Sequence, residues 1–141
     1  MNNSIYYHLF DSIINTYLIE HCGQAPAKSP LIGLVVSSFC EVGCSFNALF
    51  LPNAATKQFF APLSFPQVLN LGLRVNKLGT SSVGYEIGVF EDGEDSPAAA
   101  GGYTHVFVDS QSRKSRAMGV ELKIGLQKLR QGTRSFVKAR L

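Results

Sequence analysis

An α+β domain, with one long helix laid against an antiparallel sheet, is what this sequence predicts, and three observations predict it. Apolar residues recur at helical spacing near the start of the chain. They alternate with period two over two later runs, and the breaks between runs are short and rich in Gly, Ser and Asp. A helix with one apolar stripe needs a sheet face on which to bury it. At 141 residues with 45% hydrophobic content, the chain has the size of one domain with one substantial core.

The spacing predicts a helix from Ser4 to Cys22. Tyr6, Phe10, Ile13, Ile14 and Tyr17 form its stripe, and Ser4, His8, Asp11, Ser12 and Asn15 stand mostly opposite. Asn2, Asn3 or Ser4 can cap its start, while Gly23 and then Pro26 end it. Leu31 to Glu41, rich in β-branched and apolar residues, predicts a largely buried strand. Leu69, Leu71, Leu73 and Val75 alternate with Asn70, Gly72, Arg74 and Asn76, and Val83, Tyr85, Ile87 and Val89 alternate in the same way, so both runs read as half-buried antiparallel strands. Between them, Leu78 to Ser82 is either a turn or a bulge at Gly79.

After the acidic turn from Glu91 to Pro97, a strand from Ala99 to Val108 precedes a helix starting at Gly119 or Val120 and ending at Leu129, on Val120, Leu122, Ile124, Leu126 and Leu129. Glycines inside the strand runs, Gly101 and Gly102 among them, leave room for a close helix. Residues 1–129 form the expected domain, and 130–141 is expected to be a basic tail that frays.

Charged residues make up 16% of the chain, against about 25% for soluble proteins, which points to surface buried in an oligomer. The net charge of +3 is small, and the basic residues gather late, in Arg113, Lys114, Arg116, Lys123, Lys128, Arg130, Arg134, Lys138 and Arg140. With only Phe136 as an aromatic in the basic C-terminal stretch, nucleic acid ranks below a phosphorylated small molecule as partner, and a solvated helix face ranks above both. Cys22, Cys40 and Cys44 include no C-x-x-C pair, so no disulfide framework, zinc site or other metal is expected. The first segment is neither a signal peptide nor a membrane span, because His8, Asp11 and Asn15 interrupt it; a cytoplasmic or organelle-lumen protein without a cofactor is expected.

Asn2-Asn3-Ser4-Ile5-Tyr6, followed by Phe10-Asp11, resembles the Gly-His-Val-Asn-Asn-x-x-Tyr motif of hydroxybenzoyl-CoA-thioesterase-like hotdog proteins. Leu71 to Phe90, with Leu78-Gly79-Thr80-Ser81-Ser82-Val83-x-Tyr85, resembles that family's strand-turn-strand, and Thr104 to Asp109 its last long strand. The resemblance covers about two thirds of the chain. It implies a hotdog fold: an antiparallel sheet wrapped around a central helix, pairing into a homodimer or homotetramer, with the active site shared near the N-terminus of that helix. Unpaired N–H groups and the positive dipole end suit that position to a thioester oxyanion. It further implies hydrolysis of an acyl-CoA to free acid and CoA, using a carboxylate shortly before the Gly-His pair.

Met1 stands where the family has valine, so the resemblance leads one to expect a truncated chain lacking the first strand and the family Asp, impaired in hydrolysis; a pseudoenzyme is the other reading. The block 42–58, lying before Phe60-Ala61-Pro62-Leu63, has no family counterpart and reads as an insertion, either a loop or a translated intron.

Asp11, the acid on the motif helix, is a candidate to orient a water or is an exposed helix acid. Asn3 is a thioester donor or a cap. Tyr6 matches the family tyrosine but also lies on the apolar stripe. Ser81 and Ser82 can bond acyl or pantetheine groups or satisfy a turn, and without the second glycine of G-x-S-x-G they form no nucleophile elbow. Arg74, Lys77, Arg113 and Lys114 can meet CoA phosphates or water. His105, alternating with Tyr103 and Phe107, reads as structural. The alternative to a thioesterase is a non-catalytic hotdog module that binds acyl-CoA or only dimerises, with a dehydratase a weaker third.

Overall fold

The computed structural model describes residues 3–25, 27–42, 68–93, 97–131 and 135–140. Helix α1 (Asn3–Cys22) forms on the expected stripe. Tyr6, Phe10, Ile13, Ile14 and Tyr17 are buried, and Leu9 and Leu18 widen the same face. Burial of each such side chain stabilises the fold by about 1.5–3 kcal/mol. The helix ends where Gly23 takes a φ of 66°, a left-handed conformation that costs glycine little.

The helix lies against one sheet built of strands β1 (Leu31–Val42), β2 (Val68–Leu78), β3 (Ser82–Glu91), β4 (Ala99–Asp109) and β5 (Ser135–Arg140). All pairings are antiparallel, in the order β1-β4-β3-β2-β5. Leu69, Leu71, Leu73 and Val75 of β2 and Val83, Tyr85, Ile87 and Val89 of β3 are buried in the core that α1 completes, as the period-two pattern requires. Close approach occurs at Gly101, where a Cβ would stand 2.5 Å from Cε2 of Phe10. The segment Leu78–Ser82 is a turn, closed by the Gly79 N–H donating to the Ser82 carbonyl at 2.8 Å. The irregularity falls instead inside β2, between Val75 and Lys77.

Three expectations are corrected. Strand β1 is an exposed edge: Leu34, Val35, Val36 and Phe39 are 37–58% exposed. An apolar run signals a surface to be covered, but among the described residues nothing covers it. Residues 135–140 are no fraying tail, because they pair with β2, from Val68↔Arg140 to Leu73↔Ser135. Cationic residues suggested solvation, yet they are also what sheet edges carry.

The last helix, α2 (Val120–Gln131), buries Leu122, Leu126 and Leu129 but leaves Val120 and Ile124 exposed. Steps of two, as in 120, 122 and 124, belong to a strand and cannot share one helix face. Val42 closes β1, whereas 43–58 and Phe60 to Leu63 lie outside the described residues.

Candidate functional site

The register fixes two ends of the sheet. Val42↔Ala99 and Leu69↔Glu91 mark one, and Leu31↔Asp109 and Leu78↔Val83 the other. α1 runs between them. Its first turns approach Cys40 and Glu91, whose charges act on Tyr6. Its last residue meets α2, where Cys22 faces Glu121.

At the first end, Asn3 opens α1. Tyr6 is a core residue, and burial first, then Cys40 and Glu91, raise its hydroxyl pKa. Half-buried Tyr7 was missed in the sequence, although Asn3, Tyr7 and Asp11 stand at four-residue spacing on one helix face. Its ring stacks on Tyr103, centroids 6.3 Å apart, and meets Phe10 edge-on at 6.1 Å. The Tyr103 hydroxyl donates to the Tyr7 carbonyl at 3.0 Å, which fixes this turn of α1 on β4.

Asp11 is exposed, and its charge acts on two β4 residues, raising the pKa of Tyr103 after burial and opposing the burial that lowers that of His105. His105 is 3% exposed and lies among the rings of Tyr85, Tyr103 and Phe107. Asn3 and Asp11 are eight residues apart, about 12 Å along the axis, so one carbonyl cannot touch both within a protomer.

Ser81, Ser82, Lys77, Arg113 and Lys114 gather at the opposite end. The Ser115 hydroxyl donates to that of Ser81 at 3.0 Å, the Phe107 N–H donates to the Ser81 carbonyl, and Met118 N–H to that of Thr80, so the β2–β3 turn is bound to the segment after β4. That segment is a hairpin in which Asp109 N–H donates to Lys114 and Arg113 N–H donates to Asp109. Arg113 holds a φ of 59°, sparsely populated by residues with a side chain. The N–H groups of Ser112 and Gln111 hold the Asp109 carboxylate below its usual range, and Arg116 pairs with it at 3.1 Å. Arg113 and Lys114 stay exposed. Arg74 lies elsewhere, on the sheet face away from α1, bonded to the nearly buried Glu86, which also accepts from Asn76 at 3.1 Å.

Among the described residues no cluster of three or more His, Cys, Asp or Glu side chains is placed to hold a metal ion, and no helix is long and apolar enough to cross a membrane. The structure thus splits the sequence's candidates into an α1 group, a hairpin group about one helix length away and Arg74 on the far face.

No family model matches the sequence, and comparison with curated proteins finds no relative. Solved structures do match. The PA5185 protein from Pseudomonas aeruginosa strain PAO1 is 41% identical with a TM-score of 0.78, over 92% of this chain and 78% of that one. BH1999 gentisyl-coenzyme A thioesterase matches at 15% identity and TM-score 0.63, covering 86% and 82%. SAV2348 from Staphylococcus aureus, solved in complex with CoA, matches at 11% identity and TM-score 0.71, covering 94% and 75%. The distant matches show the fold, a hotdog, and at 41% identity over 92% of its length the chain belongs to the same hotdog-fold family as PA5185.

Proposed function

We propose that the protein hydrolyses acyl-CoA thioesters as a homodimer closed along β1. The observation that carries this is the placement of Tyr7, Asp11 and Tyr103 beside the open inner face of an apolar edge strand. A strand whose Leu34, Val35, Val36 and Phe39 are exposed and whose edge is unpaired among the described residues is suited to pair with its own copy about a two-fold axis. Antiparallel self-pairing sets the second copy's hairpin end against this protomer's α1 N-terminal end. The two groups separated in one chain then meet.

In that seam the thioester carbonyl sits at the start of α1, near Asn3, where N–H groups stabilise the oxyanion formed when water adds to the carbonyl carbon. The C–S bond then breaks, CoA leaves as the thiolate and is protonated, and the acid is released. The acyl group runs along α1 past Tyr7 and Asp11. The hydroxyls of Ser81 and Ser82 and the cations Lys77, Arg113 and Lys114 of the second copy face the pantetheine and phosphates. The CoA bound to SAV2348 and the thioester substrate in the name of BH1999 support CoA thioesters as the class.

The test is thiol release from a panel of acyl-CoA thioesters of two to twelve carbons, paired with sedimentation. Hydrolysis by a dimer is expected, and a folded monomer that neither hydrolyses nor binds them would overturn the reading. The distance between Asn3 and Asp11 favours a second reading, an acyl-CoA-binding module, which saturable binding without thiol release would establish.

A further inference from the structure

The Tyr103 hydroxyl donates at 3.0 Å to the carbonyl of Tyr7, which is already an acceptor inside α1, where regular helical bonding brings it the N–H of Asp11. A carbonyl oxygen has two lone pairs, so both donors are accommodated. Tyr103 is 7% exposed, its ring stacks on that of Tyr7 and meets Phe10 edge-on at 6.1 Å, and Phe10 in turn lies against Gly101. The hydroxyl is thus aimed at the helix from a packed position on β4. Burial first, then Asp11 and Tyr7, raise the Tyr103 pKa, so the hydroxyl keeps its proton at neutral pH and stays a donor.

Helical bonding carries this contact toward the start of α1. The peptide unit that holds the Tyr7 carbonyl also holds the His8 N–H, which donates to the Ser4 carbonyl, and the unit that holds the Ser4 carbonyl holds the Ile5 N–H. Ile5 is in the first turn, so its N–H has no acceptor within the helix. Tyr103 therefore stands at the tail of a chain of hydrogen bonds that ends on a first-turn N–H, and each bond in such a chain strengthens the next by about 10–30%. Tyr17 also donates from a buried hydroxyl, but to Gly125 of α2, and it feeds no such chain.

We propose that Tyr103 is a positioning residue for the hydrolysis, holding and polarising the Ile5 N–H that receives the thioester oxyanion. This rests on the acyl-CoA reading and deepens it. Tyr103 acts through α1 and not by contact with the thioester carbonyl. Its bond ties the second turn of the helix to the sheet, so the first turn keeps its place against a carbonyl held in the seam. The chain adds donor strength where negative charge develops as water adds. The ground-state carbonyl carries little of that charge, so the contribution falls on kcat and not on binding.

The test compares wild type, Tyr103→Phe and Tyr17→Phe in thiol release from octanoyl-CoA, well below the melting temperature of each. Tyr103→Phe is expected to lower kcat about 5- to 20-fold with KM nearly unchanged, a fraction of the roughly 100- to 1,000-fold that a lost oxyanion donor costs. Tyr17→Phe, which loses a buried bond of the same kind, is expected to keep kcat. A ketone analogue of octanoyl-CoA, with a methylene in place of the sulfur and ¹³C at the carbonyl, supplies the second readout. Its carbonyl resonance is expected to move downfield on binding, and to move less in Tyr103→Phe than in wild type. In the free variant the His8 amide proton should move upfield, as a weakened bond requires. If Tyr103→Phe does not fold, 3-fluorotyrosine at position 103, a more acidic phenol and so a stronger donor, should enlarge the carbonyl shift. An unchanged kcat in Tyr103→Phe, an equal fall in Tyr17→Phe, or a carbonyl shift indifferent to position 103 overturns the role of Tyr103. Wild type that releases no thiol sinks the hydrolysis reading and this inference with it, whereas hydrolysis that Tyr103→Phe leaves intact sinks the inference alone.

Discussion

The hydroxyl of Tyr17 donates a 2.7 Å hydrogen bond to the carbonyl of Gly125, joining residues 108 positions apart and holding the end of α1 on α2. The bond is buried, so no water replaces it when it is lost. Tyr17→Phe keeps the ring in the core, and it is expected to lower the unfolding free energy by about 1–3 kcal/mol. Urea titration should show a lower midpoint at unchanged slope.

Arg74 is engaged with Glu86 on the face away from α1, and Glu86 is 9% exposed. Removing the guanidinium leaves a nearly buried carboxylate with less compensation, so Arg74→Ala should destabilise by about 1–3 kcal/mol. KM for an acyl-CoA should change less than twofold. A large rise in KM with unchanged melting would instead return Arg74 to substrate binding.

Along β1, Val36 is 58% exposed, in the irregular part of the strand. Val36→Asp places a charge where the second copy is proposed to lie, and like charges across a two-fold repel. Sedimentation at micromolar concentration should show dimer for wild type and mostly monomer for the variant, with activity lost in proportion.

Arg113 and Lys114 are exposed and should act as phosphate contacts. Each substitution to Ala is expected to raise KM for an acyl-CoA about 2- to 5-fold, the scale of an exposed ion pair, with kcat kept. The same variants should leave KM unchanged for a thioester truncated to the pantetheine end. Added salt should mimic the substitutions, since exposed charges are screened.

Burial holds the pKa of His105 below its unperturbed 6.5, with Asp11 opposing in part. In the unfolded chain the imidazole titrates near about 6.5, so below that pH the unfolded state takes up a proton that the folded state resists. The associated stability is therefore complete above about 6.5 and is lost as pH falls toward the folded pKa, at no more than about 1.4 kcal/mol per pH unit for one proton. Denaturation of wild type and His105→Phe between pH 8 and 5 should show a shallower loss in the variant. Parallel curves would place the titration elsewhere.

By itself the sequence determined the elements whose patterns are local. The α1 stripe and the alternation of β2 and β3 follow from spacing of 3.6 or 2, which needs no knowledge of neighbours, whereas the choice between a turn and a bulge at Leu78–Ser82 did not. The motif residues Asn3, Tyr6 and Asp11 were likewise legible on one helix. Only the tertiary structure decided what those residues face. It buried Tyr6, put Asp11 over Tyr103 and His105, gave Arg74 to Glu86 and carried Arg113 and Lys114 to the end of the sheet away from Asn3. It also turned an apolar run into an exposed edge and a basic tail into a strand. Hydrophobicity records that a surface is to be covered, whereas strand order, and with it the covering partner, is set by pairings between residues far apart in the chain.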